Sequence, residues 1–268
     1  MNSDEQRAFF ETHGYLAVEN LLSPEEVATC QKEVARLHER AAEQYRNGAE
    51  QVRDFQLEPS IGDRPGDGLP VLRKIERTDQ HSDIFKRLAA HPRLVETVQN
   101  LIGPDLLQFR STLMLKPARN GSAHALHQDS AYWPMEPPTL VTVSIMLNDA
   151  TEENGCLRII RASHRWGLQQ WGRIAVQKEE EMVPDEKKID LSQQVLLPLP
   201  AGSALFFHSL TVHGSGPNRS PNPRNTALYA YFPATVRYVP KAGQPREQTY
   251  RVIAGLGGKE THTMVATN

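Results

Sequence analysis

The chain has 268 residues, with 30 Lys and Arg against 32 Asp and Glu and a formal net charge of -2. That length suffices for a large hydrophobic core, and the balanced charge excludes a basic nucleic-acid tract or an acidic solvating tail. Cys30 and Cys156 are the two cysteines and are read as unpaired, which suits a reducing, cytoplasmic compartment. The polar opening Met1-Asn-Ser-Asp-Glu-Gln-Arg reads as neither a signal nor a transit peptide, and Val265-Ala-Thr-Asn268 is no peroxisomal signal. No apolar run approaches the ~18 residues a membrane helix requires.

In chain order, Ser3 to His13 predicts a short helix, with Ser3 and Gln6 at capping-box spacing and Gly14 as its stop. Tyr15 to Val18 predicts a strand. Ser23-Pro-Glu-Glu26 is a strong helix start: Ser as N-cap, Pro in the first helical position, Glu closing the box. Val27, Cys30, Val34, Leu37 and Ala41 then recur at helical spacing, while Glu33, Arg36, Glu39, Arg40 and Glu43 read as a solvated face. Asn47 to Leu69 has no periodicity and predicts a long loop of the kind that serves as a lid. Val71 to Ile75 predicts a strand facing the site; Asp83 to Ala90 and Pro92 to Leu101 predict two helices.

After Leu106 the pattern changes to strands. Leu107 to Lys116 alternates, and Leu140 to Leu147 is β-branched. Cys156 to Ile160, Val195 to Leu199, Ser203 to Phe207 and Asn225 to Phe232 complete the series, with turns between them. Arg161 to Leu191 is polar and irregular, a second candidate lid. Val236 to Asn268 shows no pattern and is expected to wrap the surface. Helices first and short strands afterwards give the fold class α+β, mainly β: a double-stranded β-helix (jelly-roll, cupin-like) core buttressed by N-terminal helices. The expected layout is one domain over 1–268, with a mainly helical part at 1–105, the jelly roll at 106–235 and a C-terminal extension at 236–268.

The chemistry is concentrated in His124-Ala-Leu-His127-Gln-Asp129 and, far downstream, Thr211-Val-His213-Gly-Ser215. Alternate residues of an extended segment share a face, so His127 and Asp129 offer an imidazole nitrogen and a carboxylate oxygen side by side. His213 is the best third ligand. Two histidines and one carboxylate on one side of a metal form the facial triad of non-haem Fe(II) oxygenases, with positions left for a co-substrate and O2. Arg224, before a new strand, can clamp a carboxylate with two parallel hydrogen bonds, as a 2-oxo acid chelating iron requires. His124 is read as a packed residue that could reach the cleft. His164 and His208 are read as structural or partly exposed, Cys156 as a buried strand residue, and Trp133 as a core or rim aromatic or a pocket-lining one.

These residues resemble the phytanoyl-CoA dioxygenase family of Fe(II)/2-oxoglutarate oxygenases. The matching stretches are His127-Gln-Asp129, Asn154-Gly-Cys-Leu157 with Ala162-Ser-His164, Pro200-Ala-Gly202, His213-Gly-Ser215 and Arg224. Phe10 to Val18, followed by Leu22 to Glu26, is also similar. The resemblance implies iron held by His127, Asp129 and His213, and 2-oxoglutarate held by Arg224. It further implies that Ser215 and Thr112 contact the co-substrate. Where some relatives place a tryptophan near the co-substrate, this chain has Ser144. The implied reaction consumes O2 and 2-oxoglutarate, releases succinate and CO2, and hydroxylates a small-molecule substrate; the chain is expected to work as a monomer or homodimer. The alternatives are a cupin-like metal enzyme that does not use 2-oxoglutarate and a non-catalytic jelly-roll binding module. Arg224 argues against the first and the complete triad against the second.

Overall fold

The computed structural model describes residues 1–47, 54–58, 71–169 and 191–266. The chain opens with α1 (Ser3–His13), β1 (Tyr15–Val18) and α2 (Pro24–Arg46). Then come β2 (Phe55–Leu57), β3 (Leu72–Glu76), α3 (Thr78–His81), α4 (Asp83–Leu88) and α5 (Pro92–Ile102). The strands β4 (Leu106–Lys116), β5 (His124–His127), β6 (Met135–Glu136), β7 (Val141–Met146) and β8 (Leu157–Ile160) follow. After residues 170–190, which lie outside the described set, come β9 (Gln194–Leu197), β10 (Ala204–His208), β11 (His213–Ser215) and β12 (Arg224–Pro233). The chain closes with β13 (Arg237–Tyr238), β14 (Glu247–Ala254) and β15 (Thr261–Val265).

The helix starts follow local chemistry. Ser23 caps α2 by accepting from the Glu26 amide, and the Glu26 carboxylate accepts from the Ser23 amide at 2.8 Å. In α1 the cap is Asn2 with Glu5, one residue before the expected pair; Ser3 is already helical. Glu33 departs from the solvated face of α2. It is buried and forms two hydrogen bonds with Arg36 (2.7 and 2.8 Å).

Two antiparallel sheets form the jelly roll. The larger runs β1-β10-β7-β12-β4-β14-β15, with β3 also paired to β4 and β2 to β3. The smaller runs β5-β11-β8-β9. Alternation divides the large sheet into two faces. Val143 and Ile145 of β7, Phe206 of β10, and Ala227, Tyr229 and Tyr231 of β12 pack outward under the helices with Val34, Leu37, Phe85 and Leu94. The hydroxyls of Tyr229 and Tyr231 donate to the Phe85 and Ala89 carbonyls (2.9 and 2.7 Å), tying α4 and its end to β12. Met146, Leu205 and Phe207 point the other way and meet Ile159 and Leu197 of the small sheet. The site lies between the sheets, on that inner face.

Two stretches depart from the expected pattern. Phe55 to Leu57, within the anticipated long loop, is a strand paired with β3. Residues 236–268 carry β13, β14 and β15, and β14 pairs with β4. Neither stretch buries alternate residues over enough length to signal a strand. The rest of both anticipated lids, at 48–53, 59–70 and 170–190, lies outside the described residues.

One close approach has a direct bearing on the site. A Cβ on Gly214 would lie 2.7 Å from the His124 carbonyl oxygen and 2.9 Å from the Ala125 carbonyl group, so β5 and β11 pack backbone to backbone there. Gly214→Ala is expected to cost about 1–3 kcal/mol. The check is the thermal midpoint against Gly216→Ala, whose Cβ would meet nothing within 4 Å. Equal midpoints for the two variants would contradict this reading.

Candidate metal and co-substrate site

β5 ends at His127, Gln128 remains extended (φ -115°, ψ 128°), and Asp129 opens a short 3-10 turn. Because Gln128 is extended, His127 and Asp129 emerge on the same side. His213, on β11, is the direct register partner of His127, and the ring centroids are 4.2 Å apart. One ligand atom from each of His127, Asp129 and His213 lies within 4.8 Å of the others. The expected triad is therefore assembled by one strand pairing.

The hydrogen bonds set the chemistry of this cluster. His127 Nδ1 lies 2.8 Å from the Ala125 carbonyl oxygen, and His213 Nδ1 lies 2.9 Å from that of Thr211. A carbonyl only accepts, so each Nδ1 carries the hydrogen and each Nε2 presents a lone pair. Both lone pairs face the same carboxylate oxygen, Asp129 Oδ1, at 3.6 and 3.8 Å. Three acceptors converging without a hydrogen between them repel one another until a cation sits among them. The other oxygen, Oδ2, accepts from the buried Thr142 hydroxyl at 2.6 Å, which turns the carboxylate toward the histidines. Phe207 covers the back of His213, ring to ring at 4.4 Å.

Burial makes the proton a poor substitute for a metal. It lowers the His213 imidazole to about 4, aided by His127 and opposed by Asp129. Burial works to raise the Asp129 pKa, but His213, His127 and the Thr142 hydrogen bond outweigh it and hold the carboxyl below the usual range.

Arg224, the first residue of β12, is buried. Burial lowers its guanidinium to about 10. Nη2 donates to the Gly155 carbonyl at 2.7 Å, but Nε has no partner, and among the described residues no carboxylate pairs with this side chain. A buried cation with an idle donor is a built position for an anion. Ser215 is buried on β11, two residues from His213, opposite Leu157 on one side and His124 on the other.

Thr112 is held by two charged neighbours. Its hydroxyl donates to Glu76 (2.9 Å) and accepts from Arg110 (3.1 Å). Glu76 also pairs with Lys74 and Arg110. Burial favours protonation of Glu76, but Arg110 and Lys74 pull its carboxyl down to about 2. Thr112 shares a cross-strand row with Leu228 and Ser144, and the latter is buried against Leu205 of β10.

The remaining sequence expectations fall into place locally. Trp133 packs on Phe109 at 4.9 Å in a second apolar cluster. His164 bonds the Glu11 carbonyl (3.1 Å), and Cys156 is buried next to β8. His124 departs from the satisfied packing expected of it, because its Nδ1 is buried and without a partner among the described residues.

Two contributors were not singled out from the sequence. Thr142 was hidden in a β-branched run. Gln128 faces away from the ligands; its amide nitrogen donates to the Leu210 (2.7 Å) and Gly167 (3.0 Å) carbonyls and its oxygen accepts from the Gln169 amide (2.8 Å). Its place between His127 and Asp129 is the available signal, since the middle residue of an extended triplet must point into the opposite layer.

Residues 10–226 match the family described as phytanoyl-CoA dioxygenase (PhyH). The chain belongs to the phytanoyl-CoA dioxygenase family. That family uses Fe(II), 2-oxoglutarate and O2, the cofactor set expected from the sequence. The peroxisomal phytanoyl-CoA dioxygenase of Rattus norvegicus is 27% identical over 264 residues, covering 95% of this chain and 75% of the relative. The ectoine dioxygenase of Bordetella parapertussis is 30% identical over 244 residues, covering 85% and 75%. Among solved structures, EctD from S. alaskensis with bound Fe superposes with a TM-score of 0.71 at 25% identity, covering 90% of this chain and 81% of that one. This phytanoyl-CoA dioxygenase family member thus has the jelly-roll architecture of the 2-oxoglutarate oxygenases. Among its described residues, no helix is long and apolar enough to cross a membrane.

The buried imidazoles have a consequence for stability. His208, which accepts from the Leu210 amide, is lowered by burial to about 4, as is His213. In the unfolded chain both return to near 6.5, so the unfolded state binds protons first as pH falls. Their stabilising contribution is complete above the unfolded value and is lost as pH falls from about 6.5 to about 4. Urea midpoints of the metal-free protein should fall across that window; midpoints that rise on acidification would refute the assignment.

Proposed function

We propose that this chain is a dioxygenase that hydroxylates an unactivated C–H bond of a small molecule, with His127, Asp129 and His213 holding Fe(II) and Arg224 holding the distal carboxylate of 2-oxoglutarate. The observation that carries the reading is the convergence of three hydrogen-free acceptor atoms, with a buried, incompletely bonded guanidinium on β12 of the larger sheet. When bound, iron would supply the coupling of O2 and 2-oxoglutarate, giving succinate and CO2 and delivering one oxygen atom to the substrate.

The chain's own residues have narrower tasks. Ala125 and Thr211 carbonyls orient the two imidazoles through Nδ1, and Thr142 orients the carboxylate. Such outer contacts fix ring angle and raise ligand basicity. Phe207 and the inner-face residues of β7 and β10 keep water from the back of the site. Arg224 presents N–H groups from a planar fork, a shape suited to a carboxylate. The buried, unpaired Cys30 and Cys156 support a reducing, cytoplasmic setting.

His213→Ala and Asp129→Ala are expected to abolish Fe(II)-dependent decarboxylation of 2-oxoglutarate and the thermal stabilisation by divalent cations, with the fold retained. Thr142→Val should weaken metal binding by about 10–100-fold. Full turnover by His213→Ala at saturating iron would rule this ligand set out. Arg224→Ala should raise the 2-oxoglutarate requirement by roughly a hundredfold to ten-thousandfold, since two hydrogen bonds to a charged group are lost. Arg224→Lys should recover part of it, because a point charge replaces the fork. An unchanged requirement in Arg224→Ala would assign the co-substrate to a different cation.

A further inference from the structure

His124 is the least expected side chain of the inner layer. Simple alternation would place it on the face opposite His127. The pairing of β5 with β11 is irregular: His127 lies opposite His213 and His124 opposite Ser215, so three steps on β5 match two on β11. This bulge brings His124 to the same side as His127. There its Nε2 lies 3.3 Å from Arg73 Nη2, which reaches across from β3. A guanidinium only donates, so Nε2 accepts and Nδ1 carries the hydrogen. That Nδ1–H is a buried donor without an acceptor among the described residues, as is Arg224 Nε. Burial is the largest influence keeping a second proton off this imidazole, and the Lys116 and Arg73 charges add to it, ahead of His127 and Arg224.

We propose that His124 donates its Nδ1 hydrogen to the same carboxylate that Arg224 holds, and so helps the pocket select a 2-oxo dicarboxylate over a 2-oxo monocarboxylate. The inference rests on the co-substrate reading above. Two idle donors from opposite sheets, one neutral and one charged, suit the two oxygens of a carboxylate. The bulge that turns His124 inward has this pairing as its chemical use. Arg73 acts on the carboxylate through His124, by fixing which ring nitrogen carries the hydrogen.

The test measures binding, not turnover. Calorimetry on Zn(II)-loaded protein compares 2-oxoglutarate with pyruvate, which has no distal carboxylate. His124→Leu is expected to weaken 2-oxoglutarate by roughly tenfold to a hundredfold, the value of a hydrogen bond to a charged group, and to leave pyruvate unchanged. His124→Asn, whose amide nitrogen stands where Nδ1 stood, should recover most of the loss. His124→Gln, whose amide stands where Nε2 stood, should not. A His124→Leu protein with the wild-type preference for 2-oxoglutarate, or one weakened equally toward both acids, overturns the proposal. If His124→Leu does not fold, the contrast between the Asn and Gln variants decides, and equal preferences in the two overturn it. A wild-type protein with no preference for 2-oxoglutarate over pyruvate would instead overturn the co-substrate reading beneath it.

Discussion

The register between β5 and β11 is the constraint on which the site depends. It sets His127 against His213 and allows two backbone carbonyls to claim both Nδ1 hydrogens. Each imidazole is left with one lone pair, and Asp129 Oδ1 stands in front of both. Nothing in this arrangement is favourable by itself: lone pairs face lone pairs, and burial discourages protonation of His213. The free energy that holds it comes from the surrounding sheets, with Phe207, Ile159, Leu197 and Met146 packed behind. A first row of donors kept in mutual repulsion by a rigid scaffold is pre-organised for a cation.

Much of this was legible in the sequence because it follows short-range rules. The capping box at Ser23 and Glu26 needs only four consecutive residues. Leu107 to Lys116 is legible from its alternation and Leu140 to Leu147 from its β-branched residues, since the sheet they build has one face toward the helices and the other toward the small sheet. His127, Asp129, His213 and Arg224 could be singled out because their side-chain chemistry is specialised. The sequence could not show that Nδ1 of each histidine is occupied, since the acceptors are backbone carbonyls found at almost any position.

Other features depend on contacts that no local pattern encodes. Thr142 is one hydroxyl in a β-branched run until Asp129 is folded over it. The inward place of His124 follows from a bulge in the pairing of β5 with β11, which no local pattern marks. In Glu247–Ala254 only Tyr250 is buried, so β14 lacks the in-and-out signature that would mark it as a strand. Its stability as a strand comes from the exposed edge of β4, which is a tertiary fact.

That edge has a wider significance. β4 is the longest strand, and its outer side is shared between two partners: β3 pairs along Thr112–Met114 and β14 along Leu106–Gln108. An uncovered edge of such length is a template on which a second molecule can lay its own backbone. The hairpin of β14 and β15 therefore acts as a guard as well as an extension, and it ends the sheet in a strand rich in threonine and exposed polar groups. In this way β14 and β15 cover backbone groups that β4 would otherwise expose, while contributing none of the residues assigned to the chemistry.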